Sequence, residues 1–214
     1  HAACSDDSER PPPRCPPLGA FNEHVLHVMR TYPKDGTHAY HWPRRGSWLG
    51  FTRDVRYQGE LLGKGDAKGR CHCSGLTLEV FLRAWDRWSR SAGGDGQILD
   101  LDIEGLRRFQ RSWFGTSGDR ATLHTALTKA GLGVRITDWP KARPGDFVQL
   151  WRHSGSGHSC IFQSWIRENG KIVGLRYWST QSSTRGIGYR EERFGEEGSA
   201  VKRDEFYIVR VGAA

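Results

Sequence analysis

Residues 69–88 read GRCHCSGLTLEVFLRAWDRW, a polar cluster of two cysteines and a histidine running straight into an apolar-patterned segment. Leu78, Phe81, Leu82, Trp85 and Trp88 recur at helical spacing, so the segment predicts a helix with one buried face. Cys73 then falls in the first turn, beneath a helix whose leading N–H groups have no intrahelical partner. A thiol there feels the positive end of the helix dipole, which favours the nucleophilic thiolate. Cys73 is therefore a candidate nucleophile, and the rest of the chain is expected to support it.

Upstream, residues 1–19 are rich in proline and charge and read as a tail or linker. A helix is expected over 21–31, with Val25, Val28 and Met29 inward, ending before Pro33. Val55 and Tyr57 form a short extended piece. Residues 63–69 (GKGDAKG) are a connecting loop that lacks the Lys-Ser/Thr ending of a phosphate cradle. Downstream of the cysteine helix, Asp102 is placed to cap a helix to about Trp113 and Asp119 another to about Ala130. From Val134 the period changes, and 147–151, 159–166, 171–178 and 205–211 read as strands. Asn169-Gly170 between the second and third of these is a hairpin signal. Helices followed by an antiparallel sheet predict an α+β fold, with residues 20–214 as one domain carrying a helical insertion around 95–133.

The hydrophobic fraction of 36% is low, and nine Trp with nine Phe must supply much of the core. No apolar run approaches the roughly 20 residues needed to span a bilayer, so no transmembrane segment is expected. A net charge of +8 favours acidic partners. Arg107, Arg108, Arg111, Arg176, Arg185 and Arg190 are dispersed and belong to no recognised nucleic-acid module, so nucleic acid is not expected and an anionic cell-envelope polymer is. Five cysteines, an odd number, fit an exported protein with paired cysteines and one free thiol. Ala2-Ala3-Cys4 before a polar segment resembles the end of a bacterial lipoprotein signal, with Cys4 as the lipid-bearing residue; the alternative is a Cys4–Cys15 disulfide.

Thiol chemistry needs a base and a group to orient that base. His158 opens a strand after a glycine-rich turn, where its imidazole can project from the sheet edge. On the hairpin partner, Ser179 and Gln181 can each engage an imidazole nitrogen. A zinc site from Cys71, His72, Cys73 and His158 is the competing arrangement, but the C-x-C is tight and no second Cys/His pair follows. The His24/His27 and His38/His41 pairs lack a third ligand, and Asp95, Asp100, Asp102 and Glu104 lack calcium-loop order. No metal or cofactor is expected.

Cys73-Ser74-Gly75-Leu76 resembles the nucleophile motif of the NlpC family of cell-wall cysteine peptidases. Pro144-Gly145-Asp146-Phe147-Val148, followed by Gly157-His158-Ser159-Cys160-Ile161-Phe162, is similar to that family's histidine motif. The likeness runs from about Tyr57 to Tyr189. The family usually has Asp before the nucleophile, where this chain has His72. The resemblance implies a papain-like α+β fold and hydrolysis of an amide bond, typically in peptidoglycan stem peptides. The alternatives are the same Cys–His chemistry on another acyl or amide substrate, or a non-catalytic envelope-binding module with Cys73 locked in a disulfide to Cys71 or Cys160. A monomer is expected. The resemblance also implies Cys73 as nucleophile, His158 as base, and Gln181 or Ser179 as the third residue. Tyr57, similar to a tyrosine that borders the family's nucleophile, and Ser74 are implied to position substrate and oxyanion.

Overall fold

The computed structural model describes residues 14–43, 46–115 and 118–213, so Cys4 and both roles expected of it lie outside the described residues. The elements run α1 (Phe21–Arg30), β1 (Val55–Tyr57), β2 (Glu60–Gly63), α2 (Cys73–Ser91), α3 (Ile103–Trp113) and α4 (Leu123–Lys129). Then follow β3 (Gly133–Arg135), β4 (Phe147–Arg152), β5 (Gly157–Glu168), β6 (Lys171–Gln181), β7 (Gly186–Arg193) and β8 (Val201–Val211). The architecture is α+β. Strands β1 and β2 pair as a small ribbon, and the other six form an antiparallel sheet in the order β3-β8-β4-β5-β6-β7.

Alternation along the strands gives the sheet two apolar faces. Phe147, Ile161, Trp178 and Val209 join the helices in one core, around Phe81, Trp85 and Trp113 of α2 and α3. Val148, Leu150, Cys160, Tyr177 and Ile208 point the other way into a second core, packed against Trp139, Trp165 and Phe194. Helix α2 is central to the first core because its helical-period residues Leu78, Phe81, Leu82, Trp85 and Trp88 are all buried. Phe81 alone packs against Phe21, Trp85, Phe109, Trp113 and Phe147. Aromatic rings thus do the work that aliphatics do in most cores.

Two buried carboxylates lock the layers. Glu79, in the middle of α2, accepts from the Tyr32 hydroxyl (2.7 Å), the Thr52 N–H (2.8 Å) and the Thr52 hydroxyl (2.7 Å). It therefore fastens the irregular segment before β1 to the helix. Asp146, at the start of β4, accepts from Arg210 at 2.8 Å on both oxygens, from Asn22 at 2.9 Å and from the Arg143 N–H at 2.8 Å. The aspartate of the Pro-Gly-Asp motif is thus a structural clamp joining β4, β8 and α1.

Several expectations need correction. Residues 14–19 are not a free tail: the Leu18 N–H donates to the Ala213 carbonyl at 2.9 Å, and the Ala213 N–H donates to Pro16 at 3.0 Å. Helix α4 starts at Leu123 rather than beside Asp119. The Asp119 carboxylate instead accepts from the Ala121 N–H at 2.9 Å, making a local turn that competes with helix. Strand β7 (GIGYREER) ends in four consecutive charged residues and shows no apolar alternation, so only its pairing to β6 defines it. The hairpin at Asn169-Gly170 has both residues at positive φ, 48° and 77°, as a two-residue turn with right-handed strand twist requires. Among the described residues no helix is long and apolar enough to cross a membrane.

Candidate functional site

Helix α2 begins at Cys73 with His72 as its N-cap: His72 is extended (φ −123°, ψ 163°), and its Nδ1 accepts from the Gly75 N–H at 3.2 Å. The accepting nitrogen is unprotonated, so the ring proton sits on Nε2. The ring is packed among Trp42, Trp48 and Phe114 with centroids 4.7, 5.4 and 5.6 Å away. Burial, then the charge of His41, hold its pKa down at about 4. Gly75 is required because a Cβ there would lie 2.1 Å from the Leu49 carbonyl oxygen. The capping role of His72 was not anticipated, although its place one residue before the first helical position is an N-cap signal.

A cleft of about 550 Å³ opens beside this helix start, lined by Tyr40, Trp42, Cys73, Ser74, Phe114, Thr122, Gln149, Trp151 and the Gly157-His158-Ser159 end of β5. Cys73 and His158, far apart in the chain, therefore meet at one cleft. By strand alternation the His158 side chain shares a face with Cys160 and Tyr177, whereas Ser159 faces α2, so the cleft lies at the end of β5 where both faces are reached. The thiol is 3.9 Å from the Ser74 hydroxyl, which is 3.5 Å from the Ser159 hydroxyl, and the Ser159 N–H is directed at the sulfur. The thiol and the imidazole are not hydrogen-bonded to each other in this state.

The two candidates for the third position have different partners. Gln181 Oε1 lies 3.3 Å from His158 Nε2, so Nε2 carries the proton and Nδ1 is the free base. Gln181 is itself held through its amide nitrogen by the Thr184 hydroxyl. Ser179, fully buried, instead donates to the Ser159 carbonyl at 2.7 Å and serves the β5–β6 backbone. Tyr57 is not at the site. Its hydroxyl donates to the Leu101 carbonyl (2.7 Å) and accepts from the Ile98 N–H (2.9 Å), lining a separate pocket beside Arg53 and Arg83. The tyrosine in the cleft is Tyr40, whose phenol burial raises above its ordinary value. Its backbone bridges to Cys71, a link between residues 31 apart that spacing does not announce.

Electrostatics correct one further expectation. The helix dipole was expected to lower the Cys73 pKa, but burial dominates and raises it, with the Ser159 N–H and the Ser74 hydroxyl only partly offsetting that. His158 is pushed down to about 4 by burial first and by the nearby Arg152 cation second. Both groups are therefore neutral near pH 7, a thiol beside an unprotonated imidazole. Arg152 is tied to Glu192 by two bonds of 2.8 and 2.6 Å, and Glu192 also accepts from the Tyr177 hydroxyl at 2.7 Å. Burial opposes the Glu192 charge, yet Arg152 and Tyr177 outweigh it and hold the carboxyl below its ordinary value. The Tyr177 ring lies 5.4 Å from that of His158 and forms its floor.

Cys15, Cys71, Cys73 and Cys160 are free thiols. Cys71 lies 3.9 Å from the His38 carbonyl, and burial pushes its pKa up to about 12, so it is an inert thiol near Cys73 in the chain. Cys71 against His38, His72 in its aromatic cap and Cys73 in the cleft diverge from one another, and among the described residues no group of three His, Cys, Asp or Glu is placed to hold a metal ion. No known protein family, curated protein or solved structure matches this chain.

Proposed function

We propose that the protein is a cysteine hydrolase of papain-like, NlpC-type fold that cleaves an amide bond, with peptidoglycan stem peptides as substrate. The observation that carries this reading is the meeting of Cys73, at the start of α2, with His158, whose Nε2 is held by Gln181 and whose Nδ1 remains free. In the first step Nδ1 takes the thiol proton as the sulfur attacks the scissile carbonyl carbon. The carbonyl π pair moves to oxygen, giving a tetrahedral oxyanion. When the C–N bond breaks, the imidazolium returns the proton to the leaving amine. Water, deprotonated by the same nitrogen, then attacks the thioester carbonyl. The C–S bond breaks, the acid is released, and the departing sulfur takes the proton back from the imidazolium.

The neutral resting pair supports a general-base role for His158, acting when substrate arrives, rather than that of partner to a preformed thiolate. The net charge of +8 supports attraction to an anionic polymer, such as one of the cell envelope, as the setting of the reaction. One feature favours a second reading with the same chemistry on a different acyl group. Trp42, 56% exposed, and Phe114 give the cleft an aromatic wall suited to an apolar acyl chain.

The test is digestion of purified peptidoglycan by the wild-type chain and by Cys73→Ala, with fragments identified by mass spectrometry. New amine termini that appear with the first and not the second are expected. Their absence, with hydrolysis of acyl esters retained, would move the substrate to the second reading.

A further inference from the structure

Arg152 ends β4 and Glu192 lies near the end of β7, yet their side chains meet in two hydrogen bonds of 2.8 and 2.6 Å. In the sheet order β4-β5-β6-β7 these strands stand three spacings apart, about 14 Å at about 4.8 Å per strand. The two side chains therefore lean toward each other over β5 and β6, on the face shared by Cys160 and Tyr177. His158 is paired directly with Leu150, and Arg152 is two residues beyond Leu150. Arg152 and His158 are thus diagonal neighbours on one face, a separation of roughly 7–8 Å at the backbone and within reach of long side chains.

The pair is enclosed, with side chains 11% and 6% exposed. A buried ion pair adds little net stability, because desolvation offsets the attraction, and apolar side chains of similar volume serve packing as well. Its charge is not balanced either. The Arg190 guanidinium lies 3.1 Å from the same carboxylate, so two cations share one anion near the imidazole. Arg190 is the more exposed of the two, and solvent screens it more than it screens Arg152. The Glu192 carboxylate also accepts from the Tyr177 hydroxyl at 2.7 Å, which fixes that ring 5.4 Å from the ring of His158. The remaining titratable groups around His158 are Cys73 of α2, Tyr40 in the cleft and Cys160 of its own strand. Burial raises all three, so they are neutral near pH 7 and leave Arg152 as the least screened charge facing the ring.

We propose that Arg152, anchored by Glu192, is a positioning residue for the reaction: laid across β5 and β6, its cation keeps the His158 imidazole uncharged before turnover and favours negative charge on the Cys73 sulfur. This rests on Cys73 and His158 being nucleophile and base. Transfer of the thiol proton to Nδ1 creates a negative sulfur and a positive ring. A cation at this place stabilises the first and opposes the second, and the directions in which it acts on Cys73 and His158 agree with that. The imidazolium formed beside it is a stronger acid than an isolated one, so it returns its proton readily to the leaving amine. Glu192 holds the cation in place, and its own charge acts on the ring in the opposite sense.

The experiment titrates the His158 ring by NMR, its signal assigned by absence in His158→Gln, beside pH profiles of p-nitrophenyl acetate hydrolysis and of Cys73 alkylation by iodoacetamide. Arg152→Met removes the cation. The ring titration and the acid limb of kcat/KM, both near pH 4 in the wild type, are expected to rise together by about one unit or more. The alkylation profile is expected to move to higher pH as well, because the thiolate loses a favourable charge. Arg152→Lys keeps the charge and is expected to restore most of the wild-type limb. Glu192→Gln removes the anion and shifts the ring titration down, a sign opposite to that of Arg152→Met and one that lost packing does not produce. Should Arg152→Met fail to fold, combining it with Glu192→Gln leaves neither charge unpaired. The ring titration of that double variant is expected to rise, because Arg152 acts on the ring more strongly than Glu192 does. An unchanged ring titration in folded protein lacking Arg152 overturns this assignment alone. Hydrolysis that survives Cys73→Ala, even with the ring titration displaced, overturns the nucleophile and with it the part of Arg152 in its reaction.

Discussion

His158 Nε2 and Gln181 Oε1 stand 3.3 Å apart across the β5–β6 pair, and that contact selects the imidazole tautomer. With the proton placed on Nε2, the lone pair on Nδ1 is free to accept the Cys73 proton. Gln181→Ala removes the constraint without changing charge. We expect kcat to fall by about 10–100-fold with KM nearly unchanged, short of the 10²–10⁴-fold that general base catalysis is worth and that His158→Ala forfeits. A drop confined to KM in steady-state kinetics would instead make Gln181 a substrate-binding residue.

The neutral resting pair makes a prediction about pH. His158 must be unprotonated to act as base, and its pKa of about 4 means that kcat/KM rises through about pH 4 and levels off well below neutrality. Alkylation of Cys73 by iodoacetamide needs thiolate, and the raised thiol pKa makes that rate climb steadily with pH through 8. The two profiles should therefore diverge. Coincident profiles, with fast alkylation already at pH 6, would show a preformed thiolate–imidazolium pair.

Stability has its own pH dependence, set by buried histidines. His72, His124 and His158 all have folded pKa values near 4 against an ordinary value of 6.5, with burial the largest cause for each. The unfolded chain binds protons at these sites as pH falls below 6.5 while the folded chain does not, so stability present above that pH is lost on the way down to 4. Thermal melts are expected to show Tm flat above about pH 7 and falling steeply between 6.5 and 4. His124→Gln should flatten part of that slope without touching the cleft. An unchanged slope in that variant would mean that His124 titrates as an exposed imidazole.

Much of this was legible in the chain before any coordinates. Helix α2, the hairpin at Asn169-Gly170 and the entry of His158 at the head of β5 follow from periodicity and turn chemistry, which are local properties. Which polar groups line the cleft was not legible. Tyr57 was chosen by its place upstream of the cysteine, but whether a hydroxyl is free depends on contacts with Leu101 and Ile98, 44 and 41 residues away. Tyr40 reaches the cleft through a bridge to Cys71, and the Gln149 amide is oriented by the Thr122 and Ser159 hydroxyls, 27 and 10 residues away. The raised thiol pKa has the same origin, because burial depends on the whole fold whereas the helix dipole is visible in one turn. Local pattern identified the elements and placed Cys73 at the start of α2, and long-range packing decided which polar groups surround it.

The Asp146–Arg210 pair offers a test that separates fold from chemistry. Asp146 is fully buried and the Arg210 side chain is 7% exposed, so removing the carboxylate leaves a guanidinium enclosed without its counter-charge. The same change strips the acceptor from the Asn22 amide and the Arg143 N–H. Breaking a buried pair from one side typically costs about 3–5 kcal/mol. Asp146→Ala is expected to lose about that much in urea unfolding, with the midpoint shifted and the m-value unchanged. Whatever fraction stays folded should keep its reaction at Cys73, because Asp146 faces α1 and β8 and does not line the cleft. Loss of turnover per folded molecule, with stability intact, would instead assign the aspartate of the Pro-Gly-Asp motif to the chemistry.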